Sequence, residues 1–127
     1  MKKWQAGLLT LLALVVAFCL YVFVQLRTLE VERLSDDLFV LRGLGGNTAV
    51  LRTDAGTVVV DTMMLQLQGE RIRELAEELT GHKVVLLINT HYHLDHTHGN
   101  PAFAAAYRSA PAGKGWHHAY VGALLEH

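Results

Sequence analysis

Cysteine is almost missing from this chain: Cys19 is the one thiol in 127 residues. A single thiol forms no disulfide framework within a chain and no C-x-x-C pair. Positive charge is not in excess either. Residues 28–127 hold 8 Lys and Arg against 12 Asp and Glu, so there is no basic stripe for nucleic acid, and no nucleic-acid partner is expected. No Walker loop, G-x-S-x-G or H-E-x-x-H occurs, which removes P-loop phosphate binding, a serine nucleophile elbow and a helical zinc-protease site. Acidic residues run out early: Asp95 is the last aspartate, and only Glu126 follows it.

Charge is also absent from Trp4 to Leu26, 23 residues behind Lys2 and Lys3. A bilayer core takes about 20 apolar residues as a helix. A cleavable signal peptide has an apolar stretch of about 7–15 and a small-residue site. This run is longer, and Tyr21-Val22-Phe23-Val24 offers no such site. Residues 1–27 are therefore expected to form one membrane anchor, a signal-anchor helix. Ala17-Phe18-Cys19 is spaced like a lipoprotein cleavage site, but Phe18 is bulky where a small residue is needed. Cys19 reads as a small apolar helix residue instead. Lys2, Lys3 and the α-amino group outweigh Arg27. This predicts a cytoplasmic N-terminus, with the remainder on the periplasmic or extracellular side of an inner or plasma membrane.

From Leu29 the pattern changes to short apolar runs with period two. Glu30–Leu34 is a weak strand and Leu38–Leu41 a stronger one. Residues 43–47 turn the chain, Thr48–Thr53 returns, Asp54-Ala55-Gly56 turns again, and Thr57–Asp61 follows as a strand. The cluster Gly43-Leu44-Gly45-Gly46 is not followed by a helix, so it reads as a hairpin and not as a phosphate loop. Gln66–Thr80 is an amphipathic helix with Leu65, Ile72, Leu75, Ala76 and Leu79 on its apolar stripe. Its charged residues form a solvated face, and Gly81 stands where a C-terminal cap is expected. Lys83–Asn89, apolar on both faces, reads as an inner strand. Asn100 is expected to cap a short helix with Pro101 in its first position.

The densest chemistry follows that inner strand. His91, His93, Asp95 and His96 fall within six positions, and imidazole nitrogens and carboxylate oxygens are ligands for a divalent ion such as zinc. Residues i and i+2 of an extended segment point the same way, so His91 and His93 can pinch one ion. A turn at Leu94 would aim Asp95 and His96 at a second point. The loop leaves the carboxyl end of a strand, the usual place for a site in an α/β sheet. Asp61, at another strand end, either caps its own turn or supports the metal loop. His82 lies at the dipole of the helix end.

Three motifs occur in order: Gly45-Gly46-Asn47-Thr48-Ala49-Val50, Thr57-Val58-Val59-Val60-Asp61-Thr62, and Ile88-Asn89-Thr90-His91-Tyr92-His93-Leu94-Asp95-His96-Thr97. Together they resemble the N-terminal half of a metallo-β-lactamase-fold hydrolase, over about residues 38–103. The resemblance implies a mixed α/β (α+β) fold: the first half of an αββα sandwich, here preceded by one transmembrane helix. It implies two Zn2+ ions, with His91 and His93 on the first and Asp95 and His96 on the second. Asp95 would also orient the nucleophile, as the catalytic residue. Asp61 would support the loop through a ligating histidine, and Gly45 and Gly46 would let backbone approach the cleft. His98 stands where related sequences tend to have glycine, and is expected to be exposed or beside the ligands. The implied chemistry is hydrolysis of a small molecule, with zinc lowering the pKa of its water to about 7. The class is not specified among β-lactams, thioesters, lactones, phosphodiesters and sulfur compounds.

Related domains complete both metal sites from their second half. Here 31 residues follow His96, and the texture changes after Ala106. The expected organisation is an anchor at 1–27, a partial domain at 28–106, and an atypical tail at 107–127, disordered or frame-shifted, without a further strand. That makes the chain a truncated product or a fragment, with at most partial zinc sites. His117, His118 and His127 have no strand scaffold to position them. A non-catalytic, membrane-anchored remnant is the alternative to an active hydrolase. A half sandwich leaves an apolar sheet face bare, so self-association is expected.

Overall fold

The 23 uncharged residues from Trp4 give the first element of the computed structural model, which describes residues 2–106, 108–109 and 120–123, with side-chain surroundings up to residue 103. Helix α1 spans Lys3–Arg27. It is long and apolar enough to cross a membrane, and none of its residues is buried. Its end is tied to the rest of the chain by Arg27, which donates to Glu74 at 2.9 Å.

Short apolar runs then build an antiparallel meander: β1 (Glu30–Arg33), β2 (Leu38–Gly43), β3 (Gly46–Thr53) and β4 (Gly56–Val60). The turns are tighter than the sequence pattern implies. Leu44-Gly45 alone links β2 to β3, and Asp54-Ala55 links β3 to β4. Gly45 (φ 89°), the second residue of the turn, takes a left-handed backbone that a residue with a side chain rarely adopts. Helix α2 (Gln66–Thr80) crosses over to β5 (Val84–Asn89), which lies parallel to β4. Gly81, at φ 74°, closes α2 in the left-handed region. A one-turn helix α3 (Leu94–Thr97) and a 3-10 helix (Asn100–Ala106) follow.

Beyond Ala106, strands β6 (Arg108–Ser109) and β7 (Tyr120–Ala123) are present where the sequence pattern suggests none. β7 pairs antiparallel with β5, and β6 with β7. Among the described residues the sheet therefore has seven strands, in the order β1-β2-β3-β4-β5-β7-β6. Open edges of a parallel pair attract partners, and β5 would otherwise present one. The rest of residues 107–127 lies outside the described residues.

Register explains where the core sits. Phe39 faces Val50, Val50 faces Val59, and Val59 faces Leu87, all on one side of the sheet. There they are buried beneath Ile72, Leu75 and Ala76 of α2 and Phe103 of the 3-10 helix. Fully burying such a side chain contributes about 1.5–3 kcal/mol. The opposite side carries Leu38, Leu51, Val58 and Leu86 in register. None of these four is buried, and Leu51 is 38% exposed.

Two positions depart from the sequence pattern. Leu65 is 39% exposed instead of lying on the buried stripe. It is the N-cap residue, with extended backbone (φ −133°, ψ 149°), so helical periodicity does not yet apply to it. The stripe is completed from within the helix by Gln68 and Gly69, both buried. Asn100 is the first residue of the 3-10 helix, and its side chain does not cap it. Its Nδ2 donates to Asn89 Oδ1 at 2.7 Å, and its Oδ1 accepts from Asn89 Nδ2 at 3.2 Å. Asn89 is fully buried, and its amide needs partners more than a solvated helix end does.

Candidate metal centre

The parallel pair β4–β5 ends with polar residues on both strands, Asp61 after one and Asn89-Thr90 on the other. Asp61 N donates to Ile88 O at 2.8 Å, which extends the ladder one step and brings its carboxylate beneath the loop. That carboxylate is almost buried, at 6% exposure. Its Oδ1 accepts from Thr90 N at 2.8 Å. Its Oδ2 accepts from Thr90 Oγ1 at 2.8 Å and from His96 Nδ1 at 2.7 Å. Buried carboxylates are stable only when paired in this way. The backbone here is strained: Asp61 sits at φ 66° and the fully buried Met63 at φ 63°. Aspartate tolerates that region, whereas an unbranched apolar residue enters it at a cost of about 1–3 kcal/mol.

Donor counting fixes the tautomers. The Thr90 hydroxyl hydrogen goes to Asp61, so the 3.0 Å contact between Thr90 Oγ1 and His91 Nδ1 has the imidazole as donor. His91 Nε2 then carries a lone pair and accepts from His93 Nδ1 at 3.1 Å. A carboxylate only accepts, so His96 donates from Nδ1 to Asp61. Its Nε2 faces Asp95 Oδ2 at 3.3 Å. Two acceptors at that distance repel unless a positive charge lies between them, either a proton or a metal ion.

The spacings bear on whether a metal fits. Two nitrogens bound to one tetrahedral zinc at about 2.0–2.1 Å stand roughly 3.3 Å apart. His91 Nε2 and His93 Nδ1 meet that spacing closely, and so do His96 Nε2 and Asp95 Oδ2. The donor types and the distance within each pair fit zinc. Each pair supplies two donors, and among the described residues no group of three or more His, Cys, Asp or Glu side chains is arranged around a common ion position. His91 and His96 are close, with ring centroids 4.0 Å apart, so the two pairs share one small volume.

The loop's backbone is clamped from below. The carbonyl of His96 accepts from Thr62 N at 2.9 Å and Asn89 Nδ2 at 2.8 Å, while the single hydroxyl hydrogen of Thr62 goes to Asn100 Oδ1 at 2.7 Å. Gln68, fully buried, donates from Nε2 to Leu44 O at 2.7 Å and accepts from Met64 N at 3.2 Å. It thereby joins the β2–β3 turn to the β4–α2 connection. A Cβ at Gly46 would lie 3.3 Å from Asp95 O, so that hairpin packs against the loop.

The five residues assigned to the metal loop and its support from sequence lie together: His91, His93, Asp95 and His96 in the loop, and Asp61 beneath it. His98 and His82 are exposed and take no part in this network. His117, His118 and His127 lie outside the described residues. Thr62, Asn89 and Thr90 lie inside the quoted motifs but carry no role there, Asn100 is read only as a helix cap, and Gln68 is not singled out. A usable signal existed for two of them: Asn89 and Thr90 are polar residues that end an otherwise wholly apolar strand, next to the first histidine.

Comparison with known proteins gives a family and a fold. The profile of the metallo-beta-lactamase superfamily matches residues 41–122. Among solved structures, a metallo-beta-lactamase from Erythrobacter litoralis, with beta-mercaptoethanol in its active site, superposes with a TM-score of 0.51. It is 23% identical, over 61% of this chain and 38% of its own. This chain therefore spans well under half of that protein. No curated protein matches.

Proposed function

The chain belongs to the metallo-beta-lactamase superfamily, and from that premise we propose that loop 90–96 is the zinc-binding part of a hydrolytic centre carried by a membrane-anchored protein. The observation that supports this is the pair of tetrahedral-edge spacings, 3.1 Å at His91–His93 and 3.3 Å at His96–Asp95. His91 and His93 would hold one ion, and Asp95 and His96 a second. Zinc, when bound, acts as a Lewis acid and makes water ionise near neutral pH.

The chain's own residues do the positioning. Asp61 holds His96 by Nδ1, which keeps Nε2 free for a metal and raises its basicity. Thr90 passes the same hold to His91. Asp95, half-exposed beside the ligands, is placed to orient a nucleophile. The substrate is a small molecule with a hydrolysable carbonyl or phosphoryl bond. Helix α1 is the anchor, with its N-terminus cytoplasmic by the charge of Lys2 and Lys3 and the domain on the periplasmic or extracellular side. The uncovered sheet face supports self-association.

The full chain, purified in detergent and dialysed against zinc, tests this. Metal content above one equivalent, lost in His91→Ala/His93→Ala, together with turnover on a panel of esters, thioesters and lactams, supports the hydrolase. One zinc or none, with no turnover, leaves the alternative: a non-catalytic anchored protein keeping a partial metal site.

A further inference from the structure

A cavity of about 610 Å³ opens between the end of α1 and the β2–β3 hairpin. Tyr21, Val22 and Gln25 of α1 form one wall, and Arg42, Gly43 and Leu44 form the other. Its volume lies within the roughly 300–1,000 Å³ of small-molecule sites. Its depth relative to a bilayer follows from the helix. Trp4 and Tyr21 are 17 positions apart, about 26 Å of helix at 1.5 Å per residue. That is close to the ~30 Å hydrocarbon core, and Trp and Tyr settle at its two boundaries. On the anchored reading, Tyr21 marks the outer boundary, and the cavity opens where acyl chains meet headgroups, with one wall turned to lipid.

The lining suits an amphiphile. Tyr21, Val22 and Leu44 offer apolar surface, and Gln25 offers an amide. Arg42 is already paired with Glu32, and Glu30, which also lines the groove, has no ion pair among the described residues, so the lining is net negative: it disfavours an anionic headgroup and suits the cationic end of a zwitterionic one. The apolar surface also continues. Leu44 is 61% exposed and Met64 44%; farther along the same end of the sheet, Tyr92 is 66% and Leu94 60% exposed. Met64 lies against the Leu44-Gly45 turn, and the neighbouring Gly46 touches the loop at Asp95 O.

We propose that this groove seats one acyl chain of a zwitterionic glycerophospholipid, and that the substrates of the metal loop are amphiphiles drawn from the membrane. This rests on the anchored reading above and adds the substrate class to it.

The test uses the full chain in nanodiscs of phosphatidylcholine, doped with phosphatidylcholine bearing a photoactivatable diazirine on its acyl chain. Adducts are mapped by mass spectrometry. Labelling is expected at residues 42–44 as well as along α1. Val22→Trp, which fills the groove, should reduce the hairpin labelling at least fivefold and leave labelling at Phe18 and Phe23 unchanged. Adducts confined to α1, or hairpin labelling indifferent to Val22→Trp, would overturn the proposal while leaving the anchor intact. Hairpin labelling that disappears when several chains share a disc would assign the groove to a second copy and also overturn it. Release of the chain by alkaline carbonate would remove the anchor and the proposal together.

Discussion

Gly69 in α2 and Gly99 beside the metal loop cross at backbone contact: a Cβ on Gly69 would stand 2.2 Å from Gly99 O. Gly99 in turn leaves no room toward Thr62 O, at 2.0 Å from its own Cβ position. Three backbone segments therefore stack without side chains between them. Gly69→Ala should push residues 97–100 away from α2 and destabilise by about 1–3 kcal/mol, as overpacking does. Thermal unfolding measures the loss. Zinc affinity should fall with it, because His96 is three residues from the clash.

Asp61→Asn keeps the size of the side chain and a residue type that tolerates φ 66°. It removes a charge that accepts three hydrogen bonds. One of the three donors then meets an NH2 group. The expected outcome is a 10–100-fold loss of zinc affinity, the usual effect of removing a carboxylate behind a ligating histidine. Competition with a chromogenic chelator reads it. An unchanged affinity would show that His96 does not need this support to bind metal.

Glu74 ties α1 to the domain and carries a pH dependence. Burial pushes its carboxyl upward, but hydrogen bonds from Arg71 and Arg27 and their charges outweigh this and hold it below the usual glutamate range. A depressed folded-state value means the contribution is complete above about pH 4.3, the ordinary glutamate value, and is lost as pH falls through the folded value. Both partners are partly exposed, so it is worth at most about 1 kcal/mol. Glu74→Gln should flatten the acid limb of a stability profile below the ordinary glutamate range, and salt should flatten it as well.

Leu51 stands on the sheet face opposite α2, half-exposed and in register between Leu38 and Val58. Leu51→Lys should shift the protein in detergent toward monomer in analytical ultracentrifugation, with little change in melting temperature. A charge on a half-exposed apolar face weakens association more than folding.

What could be read in the sequence was what is local. H-x-H-x-D-H sets its ligand pairs within six residues, and the stripe of α2 repeats within its own turns. Thr90 and Asn89 gain their roles only because β4 delivers Asp61 and Thr62 beside them across a parallel crossover, which no local pattern encodes. Leu65 shows the opposite failure: its spacing fits the stripe, but the helix has not yet begun there. The strand Tyr120–Ala123 was missed because its value lies in covering the edge of β5, and its own residues carry weak alternation.

The pair of hydrogen bonds at the His96 carbonyl has a consequence for how metal and folding are coupled. Its partners are Thr62, 34 positions back, and Asn89, seven back. The clamp therefore closes only after a long loop has been ordered, late on the folding path. His91 and His93 need no such closure, since two positions separate them in any conformation. Zinc can thus hold that pair in the unfolded chain as well as in the folded one. Its stabilisation should fall short of what the native affinity alone implies, and Asp95 and His96, adjacent in sequence, should leave a shortfall of the same kind when His91 and His93 are replaced.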